Sequence, residues 1–264
     1  MAGRGAHIIV LLCVSSLGLA PVRAQTPAAN GNDLAVSLGA VYAAQRDQRA
    51  SPLSYSGLGP FVELAFTHRA GAALLDVGAT VMSARSTSSV TQNNLPYERE
   101  LATALRVEYY RRIHGGGTSR TAWLLGGAAG AELYATDHHF DDPLQRVGSF
   151  GLALLSLGPT VMWEMRVGRG RTLSARVGVP VVGLAWRPYS EFRLLHNVPH
   201  RVVTIDDLRA VHGAIEYRQP LGARVDGSLI YRLSALDVRE LQPYARMSQT
   251  MLARVSVLLG RRHP

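Results

Sequence analysis

The sequence predicts an all-β chain: a transmembrane antiparallel up-and-down β-barrel of about ten strands (eight to twelve) behind an N-terminal signal peptide. Three observations predict it. Ten segments alternate apolar and polar residues with period two, the connections between them run long, short, long, short, and aromatic residues gather on the apolar face near segment ends. Each segment of about ten residues has the length that a tilted membrane-spanning strand needs.

Composition narrows the field first. With 47% hydrophobic and only 18% charged residues among 264, the chain is too apolar for disorder, and 26 glycines argue against a helical bundle. All 28 basic residues are arginine, against 19 acids. The missing lysine reads first as a genome composition effect. A lone cysteine, Cys13, excludes a disulfide scaffold and a cysteine zinc site. Residues 1–24 read as the signal peptide: Arg4 opens it, an apolar stretch runs from Ile8 to Ala20, and Val22-Arg23-Ala24 sets compact residues before a cleavage at Gln25. The mature chain, 25–264, then keeps 26 arginines against 19 acids, a net +7. Val147 to Trp163 carries no charge but contains Gly148, Gly151, Gly158 and Pro159, so it is no spanning helix.

The segments follow in order, apolar face first. Leu34, Val36, Leu38, Ala40 and Tyr42 oppose Ala35, Ser37 and Gly39; Leu58, Val62, Leu64 and Phe66 oppose Glu63 and Thr67; Leu75, Val77, Ala79 and Val81 oppose Asp76 and Thr80. Leu101, Leu105, Val107 and Tyr109 oppose Glu100, Arg106 and Glu108; Trp123, Leu125 and Leu133 oppose Gly126, Gly130 and Glu132. Leu155, Leu157, Val161 and Trp163 oppose Ser156, Thr160 and Glu164; Leu173, Ala175, Val177, Val179 and Val181 oppose Ser174 and Arg176. Val211, Ile215 and Tyr217 oppose His212, Glu216 and Arg218; Val225, Leu229 and Tyr231 oppose Arg224, Asp226 and Arg232; Met251, Val255, Val257 and Leu259 oppose Thr250, Arg254 and Ser256.

Long connections are expected at 43–54, 84–97, 136–149, 187–207 and 234–248, and short ones around Arg69-Ala70-Gly71, Gly115-Gly116-Gly117, Gly168-Arg169-Gly170 and Pro220-Leu221-Gly222. Five long loops on one side and four short turns on the other match the asymmetry of an outer-membrane barrel. A soluble lipocalin-like barrel shares the period but turns its apolar face inward. The aromatics favour lipid: Phe66, Tyr109, Trp123, Trp163 and Tyr217 sit on the apolar face at turn-side ends, Tyr42 and Tyr231 at the opposite ends, as a girdle.

On this periodicity, loop asymmetry and girdle the mature chain resembles the small outer-membrane β-barrel proteins of Gram-negative bacteria. The resemblance implies an outer-membrane location, both mature termini in the periplasm, and contact with outer-membrane lipid, lipopolysaccharide and the barrel insertion machinery. That machinery commonly reads an aromatic residue at the end of the last strand, and here no aromatic follows Tyr244. Ten strands is also the count of the omptin proteases, which use acidic residues and a histidine at the external rim. No second matched acidic pair can be placed on facing strands, so no residue is carried over.

With the apolar face toward lipid, the lumen receives Glu63, Asp76, Glu100, Arg106, Glu108, Glu132 and Glu164 from the first half, then Arg176, His212, Glu216, Arg218, Arg224, Asp226, Arg232 and Arg254. An acidic half closing on a basic half predicts cross-lumen arginine–carboxylate pairs, because an unpaired charge in a narrow lumen is costly. The expected protein is therefore non-enzymatic, with an ion-paired, largely blocked lumen and a role in envelope integrity or surface contact. A narrow passive pore for small solutes is the alternative, and a rim hydrolase is a third.

Candidate sites beyond the lumen are weaker. Asp137-His138-His139-Phe140-Asp141-Asp142 and the pair His196 and His200 offer metal-ligand or acid–base residue types, but read as solvated loop, and no metal or cofactor is expected. Loop arginines, namely Arg46, Arg49, Arg85, Arg146, Arg187, Arg193, Arg201, Arg239 and Arg246, suit lipopolysaccharide phosphates. Nothing in the chain has the basic helix or aromatic–basic motif of a nucleic-acid binder.

Overall fold

A computed structural model describes residues 30–47, 53–88, 97–115, 119–139, 150–168, 170–187, 200–239 and 243–259. The signal segment at 1–24, the histidine-rich stretch beyond Asp137 and His196 lie outside the described residues or side chains.

The strands are β1 (Asn30–Asp47), β2 (Tyr55–Ala70), β3 (Ala73–Ser88), β4 (Tyr97–Gly115), β5 (Thr121–His139), β6 (Phe150–Gly168), β7 (Arg171–Gly178), β8 (Val182–Trp186), β9 (His200–Thr204), β10 (Leu208–Pro220), β11 (Val225–Val238) and β12 (Tyr244–Leu259). Every pairing is antiparallel, and β12 pairs with β1 from Asn32↔Leu259 to Asp47↔Tyr244, closing the sheet on itself. Twelve strands make ten staves. Val179 and Val181 still donate to Pro159 and Leu157 of β6, so β7 and β8 form one stave, broken where Pro180 has no N–H to give. β9 and β10 form the next, separated by the Ile205-Asp206-Asp207 turn that Asp207 N–H closes on Thr204 O.

Which face points where is decided by exposure. Leu38 is 59% exposed, Leu58 67% and Leu157 56%, whereas Ser37 and Glu63, on the alternate face, are 0% and 1% exposed. The apolar face is the outer wall and the polar face fills the interior, the reverse of a soluble barrel. A band of exposed Leu, Val and Ile around a protein is intelligible only against an apolar surrounding. Tyr42, Tyr109, Trp123 and Tyr231 stand outward and exposed, and Phe66, Trp163 and Tyr217 outward and half-buried, with Trp123 and Trp163 direct register partners.

At the turn end the chain reverses tightly. Gly71 (φ 57°) and Gly168 (φ 98°) take the left-handed backbone these turns require. At the loop end the strands run further than alternation indicates, so Arg46, Arg85 and Arg246 lie on strands and the expected 234–248 connection shrinks to 239–243. The reason is that outward positions there are polar, so the apolar–polar contrast disappears while the pairing continues. Arg187 also leaves the loop class, being fully buried with its guanidinium 5.4 Å from the Tyr244 ring centre.

One close approach inside the wall has a measurable consequence. A Cβ at Gly126 would stand 1.8 Å from Tyr109 O. Gly126→Ala is expected to cost about 1–3 kcal/mol, because backbone has to move to admit the methyl. Urea unfolding of the refolded barrel reads this directly; an unchanged midpoint would show that the wall yields there freely.

Candidate functional site in the barrel lumen

Inward positions on each stave project into a narrow interior, and the charged ones meet in layers. Nearest the turns, Arg69 of β2 donates to both oxygens of Glu164 on β6 (Nη2 to Oε1 2.6 Å, Nη1 to Oε2 3.1 Å). Arg218 of β10 donates to Asp226 at 2.9 Å and Asp33 at 2.8 Å. Neither Arg69 nor Asp33 is marked by the sequence pattern, since one adjoins a turn and the other the start of β1.

In the central layers single carboxylates are shared between arginines. Arg176 Nη1 donates to Asp76 Oδ2 at 2.7 Å and to Glu108 Oε2 at 2.9 Å, and Arg106 Nε is 3.2 Å from Glu108 Oε1. Tyr110 donates to the same Glu108 at 3.0 Å. Above them Glu63 accepts from Arg232 Nη2 at 2.6 Å, Arg254 Nη2 at 2.7 Å and Ser37 at 2.9 Å. Arg254 also reaches Ser37 at 3.0 Å and Glu216 at 3.4 Å. One carboxylate thus holds two guanidiniums, which is what a charge taken out of water requires.

Toward the loops, Arg246 Nε donates to Glu100 at 2.7 Å and its carbon lies 4.8 Å from the Tyr134 ring centre. Tyr134 donates to Glu132, whose Oε1 is 3.7 Å from His212 Nε2, and His212 Nδ1 is 2.9 Å from Ser234 Oγ. Serine, histidine and carboxylate are in the order of a nucleophile relay, but 3.7 Å exceeds the roughly 2.6–3.2 Å over which a proton is handed on. Ser234 and His212 are register partners of β11 and β10, and their bond serves as a cross-strand link inside the lumen. Arg224 is the exception among the lumen residues named above: it lies exposed in the 221–224 turn, one residue before β11 resumes the alternation. No group of three or more histidine, cysteine, aspartate or glutamate side chains that could hold a metal occurs among the described residues.

The layers divide the interior into two chambers. One of about 350 Å³ lies toward the turns and is bordered by Arg69, Asp76, Glu164, Arg176, Arg218 and Arg254. Another of about 140 Å³ lies toward the loops, bordered by Phe61, Glu63, Met82, Tyr134, Arg232 and Arg246. The pairs Glu63–Arg254 and Glu108–Arg176 each join a residue of one chamber to a residue of the other, so the partition is made of ion pairs.

No family model matches the sequence, and no curated protein does. Solved structures match the fold. The outer-membrane protease OmpT from Escherichia coli aligns over 90% of this chain and 99% of its own, with a TM-score of 0.55 and 6% identity. The translocator domain of the autotransporter NalP from Neisseria meningitidis covers 89% and 90%, at a TM-score of 0.46 and 11% identity. The chain has the closed fold of a Gram-negative outer-membrane β-barrel.

Proposed function

We propose that this chain is a non-enzymatic outer-membrane protein whose lumen is plugged by its own ion pairs and which acts at its loop end, in envelope integrity or surface contact. The single observation that carries the reading is the partition of Glu63, Arg232, Arg254, Glu108, Arg176 and Asp76, which links β2, β3 and β4 to β7, β11 and β12 across the interior. A passage would have to part charge pairs that have little water to replace them. The apolar outer wall supports the outer-membrane location, and the pairing of Asn32 with Leu259 at the turn end supports periplasmic termini.

The loop end supports contact with lipopolysaccharide. Arg46, Arg85, Arg99 and Arg209 are exposed on strands there, and Arg85 and Arg99 are register partners with Asp137 next in the row. Arginine pairs phosphate bidentately, so exposed guanidiniums at this end suit the phosphates of lipopolysaccharide. Insertion through the barrel machinery would then act on a last strand ending in Leu259 instead of an aromatic residue.

The refolded protein in a planar bilayer is expected to give no conductance steps while showing heat-modifiable gel mobility. Steady ion-selective steps would overturn the plug and make the chain a narrow passive pore for small solutes. Selectivity in that pore would change on replacing Arg232 or Arg254.

A further inference from the structure

The turn-side chamber carries more positive charge than its ion pairs consume. Seven arginines and five carboxylates border its 350 Å³ among the described residues. Four of the arginines serve all five carboxylates: Arg69 donates to Glu164, Arg176 to Asp76, Arg218 to Asp33 and Asp226, and Arg254 to Glu216. Arg112 and Arg120 receive no share, and neither guanidinium meets an acceptor among the described residues. Both still present donors to the open space. Arg120 is exposed, and Arg112 is half-buried: its Nε is shut off, but its two Nη groups keep accessible surface.

Their placement is set by the wall. Arg112 of β4 and Arg120, one residue before β5, hold the inward parity of Tyr110 and Ala122 on neighbouring staves. Ser119 Oγ donates to Thr121 O at 2.9 Å and fixes the chain that carries Arg120. On the next stave Arg166 N–H donates to Arg120 O at 2.8 Å, and its side chain borders the same chamber. A cleft with an excess of one charge between low-dielectric walls concentrates counter-ions. The planar forks of arginine match the oxygens of a phosphate, and an excess of two charges matches a dianion. The space is over twice the cavity of about 150 Å³ that admits benzene, so the phosphate has room to carry a small organic group.

We propose that the turn-side chamber binds one phosphate dianion, as inorganic phosphate or a small phosphomonoester, held by Arg112 and Arg120. The chamber lies inside a closed wall where acyl chains cannot follow, so the ligand is a water-soluble phosphate. The site lies at the opposite end from the loops and does not need the partition to be non-conducting, so a conducting protein would leave it standing.

Calorimetric titration of the refolded chain in detergent micelles tests this at pH 8, where phosphate is a dianion. The expected result is saturable binding of one phosphate per barrel, with acetate, a monoanion, weaker by about tenfold or more. Glycerol 3-phosphate should compete for the same site; whichever of the two phosphates binds more tightly identifies the free ion or the monoester as the ligand. Arg112→Gln and Arg120→Gln are each expected to weaken phosphate by about tenfold while keeping heat-modifiable mobility. Arg111→Gln removes an exposed charge from the opposite face of β4 and should leave binding unchanged. The proposal is overturned if phosphate gives no saturable heat, if acetate binds as tightly, or if Arg111→Gln weakens binding as much as Arg120→Gln. The comparison of phosphate with acetate uses the unaltered chain, so a folding failure of any variant leaves the decision intact.

Discussion

Glu63→Ala is expected to remove about 3–5 kcal/mol of barrel stability, the cost of leaving buried charge uncompensated. Glu63 is 1% exposed and accepts from Arg232, Arg254 and Ser37 at 2.6–2.9 Å. Arg254 keeps Ser37 and a longer contact to Glu216 at 3.4 Å, but Arg232 loses its only carboxylate among the described residues. The loss should therefore fall chiefly on Arg232. A second variant separates charge from packing. Glu63→Met with Arg232→Met takes out both members of the pair and fills similar volume, and it should recover at least half of the loss, because apolar replacements of buried pairs are often neutral. Urea titration of the refolded barrel, followed by gel mobility, measures both. A single-variant cost below about 1 kcal/mol would mean that the lumen is wet enough to screen these charges.

The parity of the wall is legible in the sequence because lipid imposes it: along Leu34, Val36, Leu38 every second side chain must be apolar, and the interior positions are released from that demand. Where the strands rise past the apolar band the signal fails. Arg46, Arg85 and Asp237 occupy outward positions on β1, β3 and β11, so the eye sees loop where pairing continues, and Arg246 is taken for a loop residue although it is a lumen residue bonded to Glu100. The broken staves fail for a different reason. Pro180 and Asp206-Asp207 look like turn chemistry, and they do interrupt pairing, yet the chain resumes the same stave after each. For the lumen, parity names charged residues but not partners. Arg69 meets Glu164 and Arg246 meets Glu100 across the barrel, each four staves around, and that choice depends on strand tilt and stagger, which one-dimensional spacing does not carry.

The orientation of the wall makes the last prediction the most discriminating, because it changes sign of interest with surroundings. Leu38 is the middle of the outward apolar run of β1, 59% exposed, with Ala253 of β12 and Val62 of β2 beside it. In a bilayer, Leu38→Arg places a guanidinium near the midplane and should cost about 2–4 kcal/mol. On a wall facing water, the same change at an exposed site should stay within about 0.5 kcal/mol. Tyr42→Arg, two outward positions higher at the loop end of that run, should cost only about 0–1 kcal/mol in lipid, since the penalty falls toward the interface. Unfolding of the three proteins from lipid vesicles reads the gradient. Equal, small costs at Leu38 and Tyr42 would mean that lipid does not cover this face, whereas a steep fall from Leu38 to Tyr42 can arise only from an apolar layer with β1 running through it.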